Sequence, residues 1–420
     1  MQPLRLIVVF VLLLITVRAA EFDAAEATNR FGVELFRQLA ATQPDANFAV
    51  SPYSLSSGLA LAYTGAAGAT RAELGRALHF PDDNAALAAG FAALRQRLAA
   101  TVQKTVDSLP QRQKYETNAQ AIEWNVANRI FGQQGYAFRD EYRALLRPAF
   151  DALLQPLDFR SDAEAARRII NDWVETQTRQ KIRNLIPPDG VSAITRLVLV
   201  NALYLKAPWA QRFHLSATKE QPFHVRRGNT ELVPTMSARR YLGYMRSEGF
   251  IAMALDYIGY DMQFVIFLPD EGTSLDTVAA KLTPSFLRTC SELRATPALE
   301  IALYLPKFRL AGMSMALRKQ LNALGVFDAF DQPRGSANFD PIAPRSATEW
   351  LMIHDVFHQT FISIDEAGTE ASAVSAVASA GGAAFRKQPF EVRVDRPFLF
   401  AIQHRPSGAC LVLGQVVDPR

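Results

Sequence analysis

Three stretches of this chain combine residue types that could do chemistry. Gly312-Met-Ser-Met-Ala316 sets a serine between small residues after a strand-like run, as the Gly-x-Ser-x-Gly nucleophile elbow does. An alanine closes the motif where the elbow has glycine, and the regular strand-helix alternation of an α/β-hydrolase is missing. Ser314 therefore reads as an ordinary residue at a helix start. His354-Asp-Val-Phe-His358 is close to the His-Glu-x-x-His zinc motif, which works because residues four apart share one face of a helix. Here residues 352–364 alternate and are rich in β-branched and aromatic types, so they predict a strand. Four strand residues put the two imidazoles about 13 Å apart, too far to share one metal. A buried, hydrogen-bonded His358 is the expectation instead. Around Gly381-Gly382 the order of elements and the Lys-Ser/Thr pair of a phosphate loop are both missing. No catalytic residue, metal or cofactor is expected.

The elements that position these residues follow from periodicity. Apolar residues recur at three- and four-residue steps over residues 27–39, 54–64, 85–99 and 163–180, which predicts helices. The second follows a Ser-Pro pair, and Pro52 is pre-set for a first helical turn. Runs rich in Val, Ile, Leu and Phe at 197–206, 262–268, 299–310, 352–364, 390–394 and 410–417 predict strands, so the second half is sheet-rich. With 49% hydrophobic and 20% charged residues over 420 positions, and no internal linker, the chain reads as one mixed α+β domain spanning residues 20–420. The net charge of +4 comes from scattered Arg and Lys, and no basic run points to nucleic acid. Arg95, Arg97, Lys104, Arg112 and Lys114 are too spread out to predict a polyanion site.

The N-terminus has one positive charge at Arg5, an apolar run to Val17 and then small residues. That pattern predicts a secretory signal over residues 1–19, cleaved after Ala19, and a secreted chain with no membrane contact in its mature form. Cys290 and Cys410 are the two cysteines, so no disulfide framework is available, and one bridge or two buried thiols both remain open.

Close to the C-terminus lies a stretch with almost no large side chain, Asp365 to Lys387. In an extended chain Thr369, Ala371, Ala373, Ser375, Val377 and Ser379 share one face. Each is small or β-branched and none is charged, so this face could lie over a packed core without a clash or a buried charge. Both flanks are strand patterns. A long loop tethered at both ends tends to be functional, and this one is built to be added to a sheet.

Glu366-Ala-Gly-Thr-Glu-Ala371 with the small residues after it resembles the reactive-loop hinge of inhibitory serpins, and Val392-Arg-Val-Asp-Arg-Pro-Phe-Leu-Phe400 resembles their C-terminal signature. Asn47-Phe-Ala-Val-Ser-Pro-Tyr-Ser54, Asn125-Val-Ala-Asn128-Arg-Ile-Phe131, Leu199-Val-Asn201-Ala-Leu-Tyr-Leu-Lys206, Trp209, Phe267-Leu-Pro-Asp270 and Leu305-Pro-Lys-Phe308 follow in the family's order. The resemblance implies three β-sheets, eight or nine helices and an exposed reactive-centre loop, here about residues 366–390. It also implies a suicide inhibitor, monomeric and not an enzyme, whose partner is a serine protease. The protease attacks the loop, and the cut loop inserts as a new strand before the acyl-enzyme is hydrolysed, a known case of strand addition. By the same resemblance Glu366, Gly368, Thr369, Glu370, Ala371 and Ala373 form the hinge, and Ser54, Asn201, Trp209 and His358 control sheet opening. Ala207, His354 and Gln359 depart from residues common in the family. A carrier serpin without inhibitory activity is the alternative, but bulky, charged or proline residues would be expected in its hinge.

The scissile bond is placed differently by two counts. Counting forward from Glu366 reaches Gly382-Ala383, while counting back from Pro397 reaches Arg386-Lys387. Four more extended residues add about 13 Å of slack to a tether that must be short, which favours Gly382-Ala383. Small side chains there suit an elastase-like or subtilisin-like protease. Arg386 would suit a trypsin-like one.

Overall fold

The computed structural model describes residues 21–116, 118–226, 228–293, 299–311, 314–369 and 389–420. Helix Pro52–Thr64 runs through the middle of the protein with every residue buried. It starts where it does because Ser51 caps it, accepting a hydrogen bond from the Ser54 N–H, and Pro52 takes the first turn. Among the described residues nine α-helices are longer than five residues, in line with the expected eight or nine. The helices expected at 27–39, 54–64, 85–99 and 163–180 are present as Ala24–Thr42, Pro52–Thr64, Asn84–Asp107 and Phe159–Gln177.

One sheet is built around two central strands, Leu197–Pro208 and Ile353–Ile364, which run parallel. They pair directly from Ile353 opposite Leu197 up to Phe361 opposite Tyr204. Above that level they part, and the two-residue strand Gly368–Thr369 lies antiparallel to both. Glu123–Gln133 and Leu154–Leu157 extend the sheet on one side, and Phe308–Ala311 on the other. Met315–Ala316 pairs with Ile353–Ile364 as well, and the other strands form two sheets that share one long strand, Thr230–Ser247. Its residues 243–247 pair with Phe250–Asp256, and its residues 235–242 pair with Leu299–Pro306. The strand Phe390–Arg393 then runs parallel to Leu299–Pro306 at the sheet's edge.

The run expected as one strand over 299–310 is two, because the chain leaves one sheet at Pro306 and joins another at Phe308. The main core fills the space between the central sheet, the shared sheets and Pro52–Thr64. A smaller second core joins the outer face of the central sheet, through Phe131, Val198, Val200, Phe357 and Phe361, to Ile170 and Val174 of Phe159–Gln177. Cys290 and Cys410 are both buried free thiols, and burial pushes each thiol pKa up. Among the described residues no helix is long and apolar enough to cross a membrane, and no group of three or more His, Cys, Asp or Glu could hold a metal ion.

Candidate functional site

Two clusters lie along the central strands. The lower one starts at His358, which has no solvent exposure. Its Nε2 accepts from the Ser51 N–H at 3.1 Å and from the Thr360 hydroxyl at 2.9 Å, so the ring proton sits on Nδ1 and is donated to Asn201 Oδ1 at 2.5 Å. Asn201 Nδ2 in turn donates to the Ser54 carbonyl and hydroxyl, both at 2.6 Å, and to Asn128 Oδ1. Asn128 donates to Ser57 Oγ at 2.7 Å, and that hydroxyl donates to the Ser54 carbonyl at 2.9 Å. Asn128, Asn201 and His358 occupy one register level across three adjacent strands. Helix Pro52–Thr64 can come this close because Gly58 has no side chain: a Cβ there would stand 3.3 Å from both Asn128 Oδ1 and Asn201 Nδ2. Burial pushes the His358 pKa down to about 3, so the imidazole is neutral.

The upper cluster holds the strand Gly368–Thr369. Gly368 has φ +149°, and a Cβ on it would meet the Ala207 carbonyl oxygen at 2.3 Å, so no other residue fits there without moving the chain. Thr369 is completely buried, and its hydroxyl is 2.5 Å from the Tyr257 hydroxyl. The Tyr257 ring stacks on Trp209 with centroids 4.7 Å apart. Trp209 donates from Nε1 to the Asp365 carbonyl at 2.9 Å and from its backbone N–H to the Ala367 carbonyl at 3.0 Å. Phe213 adds a backbone bond to the Glu366 carbonyl at 2.9 Å. The Glu366 carboxylate pairs with Lys307 at 2.9 Å and accepts from Thr218 Oγ1 at 2.7 Å. Burial works to raise the Glu366 pKa, but these two partners together hold it below the usual range.

The structure thus joins Ser54, Asn201 and His358 in one hydrogen-bonded group and places Trp209 apart from them, against residues 365–367. Glu366, Gly368 and Thr369 are in place beside Trp209. Glu370, Ala371, Ala373, Gly382, Ala383, Arg386 and Lys387 lie outside the described residues. Asn128, Ser57, Tyr257, Thr218 and Lys307 were not singled out for a role in the sequence. The Asn-x-x-Asn spacing of residues 125–128 was the only local trace of the first of them. His354 is partly buried, and burial lowers its pKa. Ser314 Oγ is buried without a hydrogen-bond partner among the described residues, so no base stands ready to activate it.

The serpin (serine protease inhibitor) family model matches residues 26–419. A leukocyte elastase inhibitor of Bos taurus is 34% identical, aligned over 94% of this chain and 98% of its own. Serpin B10 of Homo sapiens is 30% identical over 94% and 99%. The crystal structure of the Manduca sexta serine protease inhibitor serpin-12 superposes with a TM-score of 0.76 at 25% identity, covering 95% and 99%. The chain belongs to the serpin family. At the level of the family it is a protease inhibitor and not a catalyst.

These relatives correct one expectation. Leukocyte elastase inhibitors and Serpin B10 are intracellular serpins, which points away from a secreted, extracellular protein. The charge and apolar run of residues 1–19 are a compositional signal only. Those residues lie outside the described part of the structure.

Proposed function

We propose that this protein is a suicide inhibitor of serine proteases that traps the acyl-enzyme by inserting its cleaved loop into the central sheet. The observation that supports this most is the position of Gly368–Thr369. They form the first rungs of a strand between Leu197–Pro208 and Ile353–Ile364, which are still paired to each other below. Continuing that strand requires only that the central pair separate. The next residues whose side chains would face the core with Thr369 are Ala371 and Ala373, small enough to enter.

In this reading Gly368 is the hinge and Thr369 the first inserted side chain, followed by Glu370, Ala371 and Ala373. Glu366 and Trp209 anchor the base of the loop. Ser54, Asn201 and His358 set the cost of separating the strands, because each loses a buried partner when they part. Residues 20–420 act as a single domain and a monomer, and Gly382-Ala383 is the bait for an elastase-like or subtilisin-like protease. Arg386-Lys387 is the bait if the target is trypsin-like.

The test is to incubate the full chain with an elastase, a subtilisin and trypsin, then run denaturing gels and weigh the released C-terminal peptide. An SDS-resistant complex with a peptide beginning at Ala383 supports small-residue bait. A peptide beginning at Lys387 moves the bait to Arg386. Cleavage with no complex for all three enzymes removes the inhibitor reading and leaves a substrate or carrier.

A further inference from the structure

Arg240 is a cation in an apolar place. It lies on the strand Thr230–Ser247 opposite the fully buried Ile301, and it is only 7% exposed. Its neighbours Arg239 and Tyr241 are exposed on the other face of the strand. Among the described residues no carboxylate pairs with Arg240, and its Nη2 is buried with no hydrogen-bond partner. Burial pushes its pKa down to about 10, so the group is still charged at neutral pH. A buried charge without a counter-ion costs stability, and an apolar side chain of similar length would avoid that cost.

The guanidinium touches Phe213. It lies over that ring, 3.9 Å from the centroid, and a cation on an aromatic face is held most strongly when both are out of water. Phe213 is buried and meets Trp209 edge-on, with centroids 6.5 Å apart. These two residues make three hydrogen bonds to consecutive carbonyls at the root of the loop. Trp209 Nε1 donates to Asp365, the Phe213 N–H to Glu366 and the Trp209 N–H to Ala367. The next residues are Gly368–Thr369, which already sit between the central strands. Arg240 thus acts, through one aromatic ring, on the backbone that leads into the fork.

We propose that Arg240 is a positioning residue for loop insertion: its guanidinium fixes the Phe213 ring, and through Phe213 and Trp209 it holds residues 365–367 in line with the fork. This rests on the reading of the protein as a suicide inhibitor. A fixed root shortens the search of the cut loop for the gap between the strands, and so favours trapping over release. The charge is retained for that placement, against the stability of the native fold.

The experiment compares the full chain with its Arg240→Met and Arg240→Lys variants. Met keeps an unbranched stem without the charge, and Lys keeps the charge. Each protein is incubated with an elastase, a subtilisin and trypsin, and denaturing gels give the ratio of SDS-resistant complex to cleaved chain. For any protease that is trapped, Arg240→Met should lower this ratio about 10-fold with a Tm at or above that of wild type, while Arg240→Lys stays within about 3-fold of wild type. A wild-type ratio in Arg240→Met, a loss that comes with a lower Tm, or a Lys variant no better than Met overturns the proposal. A second arm follows amide hydrogen exchange in the intact chains by mass spectrometry. The segment carrying Trp209 and Phe213 should exchange about 10-fold faster in Arg240→Met than in wild type, with helix Pro52–Thr64 unchanged. If the wild-type chain traps none of the proteases, the inhibitor reading falls and this arm decides the role of Arg240 alone: faster exchange supports its hold on residues 365–367, and equal exchange overturns it.

Discussion

His358 and Asn201 face each other across the parallel central strands, and the Nδ1–H of one donates to Oδ1 of the other at 2.5 Å, with both side chains buried. Separating those strands would break that bond inside the core, where neither group could find another partner at once. In the proposed mechanism this bond is a cost of opening the sheet, and it contributes to the stability of the paired strands.

Replacing His358 by Ala should therefore destabilise the native state by about 3 kcal/mol, from a cavity plus unsatisfied groups at Asn201, Thr360 and the Ser51 N–H. Asn201→Ala should cost a similar amount. The double variant should cost clearly less than the sum, since both remove the same bond. Chemical denaturation of the four proteins checks this, and additive costs would show that the two side chains act separately.

Stability should depend on pH below neutrality. Burial lowers the pKa of His358 to about 3 and that of His404 to about 4, while both titrate near 6.5 when unfolded. The unfolded chain thus binds protons that the native chain refuses. The stability from these two groups is complete above about pH 6.5 and is lost as pH falls toward 3 to 4. The difference between wild type and His358→Ala should accordingly shrink as pH falls through this window, read as denaturation midpoints at pH 7.5, 6 and 5.

Thr369→Arg should convert an inhibitor into a substrate. Thr369 is fully buried beside Tyr257, and a charged, long side chain there has no partner to offset its desolvation. The measurement is the ratio of SDS-resistant complex to cleaved product. It should fall below about one tenth of the wild-type ratio, which corresponds to a change of roughly 1.4 kcal/mol in the competition between insertion and release.

Glu366→Lys should loosen the root of the loop. It replaces a half-buried ion pair with Lys307 by two like charges and removes the acceptor for Thr218. A loss of about 1–2 kcal/mol is expected after allowance for the partly exposed Lys307. Thermal melting at low and high salt checks it, and the deficit should narrow as salt screens the repulsion.

Much of this arrangement was legible in the sequence, for definite reasons. Residues 352–364 alternate strongly enough to be a strand, and that alone removed the zinc reading of His354 and His358. Of the expected hinge, Gly368 and Thr369 lie in the central sheet, while the small residues after them are outside the described part of the structure. Other parts were hidden because they depend on which distant segments become neighbours. Asn128 matters only because its strand pairs with Asn201, and Tyr257 only because Thr369 reaches its hydroxyl. Thr230–Ser247 was not read as a strand, since Pro234 interrupts it and it serves two sheets with different buried faces. The apolar N-terminus shows the opposite failure, a composition that suggests a destination the relatives do not support.

The proposed trapping of the protease depends on insertion of the loop between Leu197–Pro208 and Ile353–Ile364. The most direct measurement is to nick the loop with a protease that is not trapped and compare the melting of cleaved and intact chains by calorimetry. Insertion adds a strand hydrogen-bonded on both sides, so the cleaved chain should melt at least about 20 °C higher. A cleaved chain that melts at or below the intact one would contradict the account.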